Sequence, residues 1–303
     1  MASTPVAYGM ALRNFVTYPE LPDADRLIEQ GVWIETLGFE SVWVWDHILL
    51  GVEPHFPIID SLSLLTALAS RTNRIKLGTG VLILPLRNPV LLAKQLASID
   101  LIAGGRLLPG LASGWYKREY DACGVDFHKR GKIMDQSLEI LERLWTEDKT
   151  SAEYPPYNLR STVMFPKPVQ QPRPPILIGG YADRVLKRVA TRSDGWLTYC
   201  YTAQSYAEDK ARILAFAEQA GRDIGTLSFT NQLPIAIGPR EKGEGPMMKW
   251  LNTEWDFASW SDSTVDSAIM GTVDDCVEQL QAQIDVGVQK IIFVPYKYET
   301  TQV

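Results

Sequence analysis

Histidine and cysteine are scarce in this 303-residue chain, three of each, and their positions exclude several chemistries at once. Cys123, Cys200 and Cys276 are odd in number and far apart, which argues against a disulfide framework and for a reducing compartment. No pairing of these with His47, His55 or His128 has zinc-site spacing, so no metal centre is expected. No apolar run reaches bilayer length. The segment MASTPVAYGM has neither the basic flank nor the apolar stretch of a signal peptide, so the expectation is a cytoplasmic protein without membrane association. A net charge of −6 offers no basic field for nucleic acid. Three catalytic signatures are also missing. Gly78 and Gly80 lack the third glycine of a dinucleotide fingerprint, because position 83 is Ile, and there is neither a P-loop lysine nor a G-x-S-x-G elbow. A Rossmann nicotinamide site and a serine hydrolase are therefore unsupported. No lysine ends a predicted strand, which argues against a Schiff-base aldolase.

What is present is a regular alternation. Apolar runs rich in β-branched and aromatic residues predict eight strands: Val6 to Arg13, Ser41 to Trp45, Ile75 to Leu84, Arg106 to Ala112, Pro175 to Ile178, Gly195 to Thr198, Leu227 to Leu233 and Lys290 to Val294. Amphipathic segments between them predict helices over Asp23 to Leu37, Ile59 to Arg71, Val90 to Ile102, Lys132 to Trp145, Arg184 to Arg192, Ala203 to Ala220 and Val273 to Val286. Eight strands, each separated from the next by a helix, point to an α/β protein, a (β/α)8 TIM barrel forming one domain over residues 1–303. Two insertions interrupt it, at about 149–174 (with Tyr-Pro-Pro-Tyr and Pro-Lys-Pro) and about 239–272 (with Trp250, Trp255 and Trp260). The second reads equally well as a lid and as decoration.

On a barrel the strand ends carry the chemistry. The second strand ends in Asp46-His47, where His47 is placed as a general base near neutral pH; the competing reading makes Asp46 a loop cap and His47 a rim residue. Thr79-Gly80-Val81 puts glycine inside a strand, the mark of a bulge or a close backbone approach. Ser113-Gly114 closes the fourth strand and Gly179-Gly180-Tyr181 the fifth. Each small turn precedes a helical pattern with basic residues (Lys117 and Arg118; Arg184, Lys187 and Arg188). Such turns could present backbone N–H groups to a phosphate, or could be ordinary caps beside solvated charges.

The segments GFESVWVWDHIL, the run from Arg71 to Trp115, the Glu119…Gly124…Phe127…Arg130-Gly131 spacing, LEILERLWTED, PKPVQQPRPPILIGG, SDGW and the closing GTVDDCVEQLQAQIDVGVQKIIF together resemble the bacterial luciferase-like family of flavin- and deazaflavin-dependent oxidoreductases. The resemblance covers nearly the whole chain. It implies a barrel, usually dimeric, that binds its flavin at the C-terminal rim, with a non-proline cis peptide at Gly80-Val81 forming a bulge behind the ring. It implies Asp46 and His47 as the catalytic pair, and cofactor contacts from Thr79, Gly80, Val81, Ser113, Gly114, Arg118, Gly179, Gly180 and Tyr181. Trp115 departs from members with an acid there and argues against a sugar-phosphate dehydrogenase. Arg13 and Trp115 are candidate substrate contacts.

The leading expectation is a two-component monooxygenase that takes reduced FMN from a separate flavin reductase and uses O2 on a small organic substrate. A coenzyme F420-dependent dehydrogenase is the alternative; its acidic tail would need the basic track of Lys117, Arg118, Arg184, Lys187 and Arg188. A non-catalytic flavin-binding relative is the third reading.

Overall fold

The computed structural model describes residues 5–238 and 266–295. In chain order the elements are β1 (Ala7–Ala11), α1 (Ala24–Thr36), β2 (Ser41–Val44), α2 (Ser61–Arg71), β3 (Lys76–Thr79), β4 (Leu82–Ile83), α3 (Pro89–Ile102), β5 (Leu107–Leu108), β6 (Gly110–Ala112) and α4 (Lys117–Ala122). There follow α5 (Arg130–Thr146), β7 (Thr150–Tyr154), β8 (Tyr157–Thr162), β9 (Leu177–Gly179), α6 (Asp183–Arg192), β10 (Gly195–Tyr199), α7 (Ala203–Gln219), β11 (Ser228–Ile237), β12 (Ile269–Gly271), α8 (Val273–Asp285) and β13 (Lys290–Pro295). The α/β alternation expected from the sequence is present. None of the described helices is long and apolar enough to cross a membrane.

These elements form two compact units. The first comprises Met1–Ala11, Phe39–Trp43 and Leu177–Val303. Its strands pair in parallel in the order β9-β10-β11-β13-β1-β2, with β12 added to the far end of β11. β11 reaches ten residues because its first half pairs with β10 and its last three residues pair with β12. Helix α6 turns Val185, Leu186, Arg188, Val189 and Ala190 inward. Thr272 and Asp275 close a reciprocal capping box at the start of α8, which satisfies two of the N–H groups a helix start leaves open.

The second unit comprises Leu12–Gly38 and Val44–Ile176. Asp23, Asp60 and Asn88 accept backbone N–H groups at the starts of α1, α2 and α3. Two long-range brackets fix its loops. The Arg106 guanidinium donates to the carbonyls of Ala69, Thr72, Ile75 and Ala103. Buried Asp100 accepts from Val169 N, Gln170 N and Gln170 Nε2, which docks the chain that follows β8.

Three expectations are corrected. The strand expected over Ile75 to Leu84 is two strands, β3 and β4, followed by a 3-10 turn over Leu84–Leu86. The strand expected over Arg106 to Ala112 is split at Pro109, which has no N–H for the ladder. The 149–174 insertion is largely ordered: β7 and β8 form an antiparallel hairpin with Tyr154 opposite Tyr157 across Pro155-Pro156. Proline marked the turn, and the strand-forming Thr and Tyr residues on either side carried the hairpin. Of the 239–272 insertion, Ile269–Gly271 is strand β12, while 239–265, with Trp250, Trp255 and Trp260, lies outside the described residues.

Candidate functional site

The two split strands of the second unit lie side by side. Gly78 pairs with Leu108 before the break, and Leu82 pairs with Leu111 after it. Three residues, Thr79, Gly80 and Val81, therefore face two, Pro109 and Gly110. This is a bulge, and the Gly80-Val81 peptide within it is cis. The Thr79 hydroxyl spans the gap, donating to Gly110 O (2.8 Å) and accepting from Gly110 N (3.0 Å). Thr79 is fully buried and its hydroxyl is spent in the sheet, where it supports the bulge from within. Gly80 N donates to Val44 O (2.8 Å), which ties the bulge to the last residue of β2.

Just beyond β2, Asp46 and His47 diverge. Asp46 is 4% exposed and accepts from Ser61 Oγ (2.8 Å), Ile83 N (2.9 Å) and Arg87 Nη2 (2.6 Å). Arg87 also reaches Asp60 (3.2 Å). Burial pushes the Arg87 guanidinium down, and the Asp46 and Asp60 carboxylates outweigh it and raise it. Burial likewise pushes Asp60 up, yet the Ser63 backbone and hydroxyl together with Arg87 hold it below the usual carboxylate range. Asp46 thus anchors the bulge strand through Ile83 and does not hold the neighbouring imidazole.

The carboxylate that holds His47 is Glu119. His47 Nδ1 lies 2.9 Å from Glu119 Oε2, and Glu119 Oε1 accepts from Ile48 N (2.5 Å) and Leu49 N (2.9 Å). Glu119 is fully buried, whereas the His47 side chain is 15% exposed. The Trp115 ring, 44% exposed, stands edge-on to the imidazole with centroids 6.0 Å apart. Sequence reasoning carried Glu119 only as part of a spacing and gave it no role. Its partner is 72 positions away, and no local pattern joins the two.

Ser113 and Gly114 close β6 but do not cap a helix. The six-residue α4 begins at Lys117 with Tyr116 before it, and no side chain caps it. The turn is held from behind by Tyr120, whose hydroxyl donates to Ser113 O. Burial pushes the Tyr120 phenol up, which keeps it a donor. Gly114 has φ +62°, and a Cβ there would come within 2.7 Å of Ile83 Cγ2, so only glycine fits. Arg118 is exposed on α4, and Lys117 is paired with Asp121 (2.7 Å). Arg13 lies over the Phe15 ring, 5.3 Å from its centroid.

Gly179, Gly180 and Tyr181 belong to the first unit. Gly180 has φ +124° and its carbonyl accepts from Trp196 Nε1 (2.9 Å); Tyr181 is 57% exposed. Of the basic residues beyond this turn, Arg184 and Lys187 are exposed and Arg188 is buried on the inner side of α6.

The second unit thus holds a cis-peptide bulge, an imidazole with one ring nitrogen engaged by a buried carboxylate, an indole beside it, and a glycine turn packed against Ile83 of the strand that leaves the bulge. A planar aromatic cofactor fits this set: it needs a flat wall free of side chains and a protonatable group at its edge.

Comparison with known proteins agrees. The model of the luciferase-like monooxygenase family matches residues 6–244. An uncharacterized protein of Mycobacterium tuberculosis is 36% identical over 232 residues, 71% of this chain and 76% of its own. The F420-dependent glucose-6-phosphate dehydrogenase of Kineococcus radiotolerans is 26% identical over 276 residues, 88% of this chain and 77% of its own. The FMNH2-dependent dimethylsulfone monooxygenase of Pseudomonas putida is 33% identical over 140 residues, 45% of this chain and 38% of its own. Among solved structures, an F420-dependent secondary alcohol dehydrogenase superposes with a TM-score of 0.85 over 98% of this chain and 95% of its own, at 15% identity. With the bulge, the imidazole and the family match in agreement, this chain belongs to the luciferase-like monooxygenases.

Proposed function

We propose that this protein is the oxygenase component of a two-component monooxygenase, using reduced FMN and O2 on a small organic substrate. The observation that carries the reading is an imidazole, His47, held by buried Glu119 on the loop that leaves β2, whose last residue, Val44, accepts from Gly80 N of the bulge. The reading takes the fold as the family's (β/α)8 barrel in one domain and the protein as a homodimer. A separate flavin reductase supplies reduced cofactor, in keeping with the missing nicotinamide fingerprint.

Bound flavin supplies the electrons for oxygen activation, and the chain's own residues do the rest. Val81 and Gly114, both half-buried, would offer surface to a flat ring, with buried Gly80 behind them. Within the second unit, Ser113, held by Tyr120, is the candidate contact for its side chain. Trp115 shields the edge where His47 moves a proton. One observation favours FMN over coenzyme F420: Lys117 of α4 is paired with Asp121, which lowers the charge this helix offers to an acidic tail. The hydride-transferring F420 reading draws on the similarity to the Kineococcus dehydrogenase across 88% of the chain.

Titration with reduced FMN and with reduced F420, followed by admission of oxygen under absorbance monitoring, tests the reading. Tight F420 binding with no oxygen-dependent spectral change would overturn it in favour of a dehydrogenase. Replacing His47 by Ala is expected to lower turnover by about 10²–10⁴ while cofactor affinity holds within a few-fold. Unchanged turnover would remove His47 from the chemistry.

A further inference from the structure

We propose that Glu119 is the positioning residue of the site: it fixes the tautomer of His47 so that Nδ1 carries the proton and Nε2 is left to accept one. The tautomer assignment rests on the structure alone; its consequence for turnover rests on the oxidoreductase reading above.

The argument is one of donors and acceptors. An ionised carboxylate only accepts. Glu119 Oε1 is already committed to Ile48 N at 2.5 Å and Leu49 N at 2.9 Å, so the side chain cannot rotate without stranding two backbone donors. That leaves Oε2 facing His47 Nδ1 at 2.9 Å, and this contact is a hydrogen bond only if Nδ1 bears hydrogen. A neutral imidazole has one N–H, so Nε2 then has a lone pair. Glu119 is fully buried, so water does not compete for Oε2. One side chain therefore sets three things together: the path of the loop after β2, the ring orientation and the protonation site.

Glu119→Gln separates these roles. The Gln carbonyl must stay on Ile48 N and Leu49 N, because its NH2 group would oppose two donors. The NH2 is thereby turned toward His47 Nδ1, where it can only donate. The ring must respond by moving its hydrogen to Nε2. The loop and fold are kept, the isosteric side chain fills the same space, and the base is blocked.

The test is nitrogen-15 NMR of the imidazoles in the full-length protein without cofactor. The His47 signals are assigned by their loss in His47→Gln and recorded at a pH where titration shows the ring to be neutral. In the wild-type protein Nδ1 should appear as the protonated, pyrrole-like nitrogen and Nε2 as the bare, pyridine-like one. In Glu119→Gln the two should exchange identity. Turnover of that variant should fall by about 10²–10⁴, the range for losing a general base, with the thermal midpoint close to wild type. A wild-type His47 protonated at Nε2 would overturn the proposal without recourse to any variant. An unaltered tautomer in a folded Glu119→Gln would do the same. Correct tautomers in both proteins with equal turnover would retain the positioning role and overturn the catalytic reading of His47, so the two claims fail separately.

Discussion

Replacing Asp46 by Ala should destabilise the protein strongly, and the cost can be worked from two of its three partners, Ile83 and Arg87. The substitution strips the acceptor from Ile83 N, which sits in β4 and is buried; an unmet buried N–H costs about 1–3 kcal/mol. It also leaves Arg87, whose side chain is 15% exposed, with only Asp60 at 3.2 Å, a carboxylate 44% exposed. Breaking a buried ion pair from one side typically costs about 3–5 kcal/mol in all, and the Ile83 term falls within that range because both losses come from one carboxylate. This is a large share of the roughly 5–15 kcal/mol that holds a domain folded. Urea unfolding should show a lowered midpoint with an unchanged slope. The diagnostic is a double-mutant cycle with Arg87→Met. Removing the stranded cation in the Asp46→Ala background should recover part of the loss, giving a coupling energy of about 1–3 kcal/mol. A destabilisation under about 1 kcal/mol, or no coupling, would refute the anchoring role. Lost turnover at full stability would return Asp46 to the chemistry.

Other outcomes follow from the same geometry. Glu35 Oε1 accepts from Asn73 N, Arg74 N and Ile75 N; burial pushes its carboxyl up, but these bonds outweigh it and hold it below the ordinary value of 4.5. A depressed folded value means a contribution that is full above 4.5 and lost as pH falls through the folded value. The stability gap between wild type and Glu35→Gln should therefore narrow on acidification, and a gap that widens would contradict the assignment. Gly114→Ala should cost at least about 1–2 kcal/mol from φ +62° alone, with the Ile83 clash added, and should weaken flavin binding measured by fluorescence quenching. Thiol titration of the native protein should find Cys123 accessible, while Cys200, buried and pushed up to about 12, reacts only after unfolding; fast native reaction at Cys200 would contradict its burial.

Periodicity carried the fold to element level because strands and helices bury one face and repeat at fixed intervals. It read Ile75 to Leu84 as one strand because hydropathy does not change across Gly80-Val81; the break lies in backbone geometry. It assigned no strand around Tyr-Pro-Pro-Tyr because proline dominated a stretch whose strand residues lie on either side. The site divided along the same line. His47 and the bulge were legible as local peculiarities at strand ends. The partners of His47 and Asp46 were not, since Glu119 and Arg87 lie 72 and 41 positions away and meet them only through the fold. Asp46 and His47 are adjacent in sequence, yet on the loop beyond β2 they take separate partners.

Glu119 and Tyr120 are consecutive, yet one grips the loop after β2 and the other the turn after β6. In a helix, consecutive side chains stand about 100° apart, so sliding this short helix by one residue would swing both grips off their targets together. The segment behaves as a keystone: its sequence can drift at Lys117 and Arg118, which face solvent, but its length cannot. Natural or designed variation that re-tunes this site for other substrates should therefore substitute along α4 and leave its residue count alone.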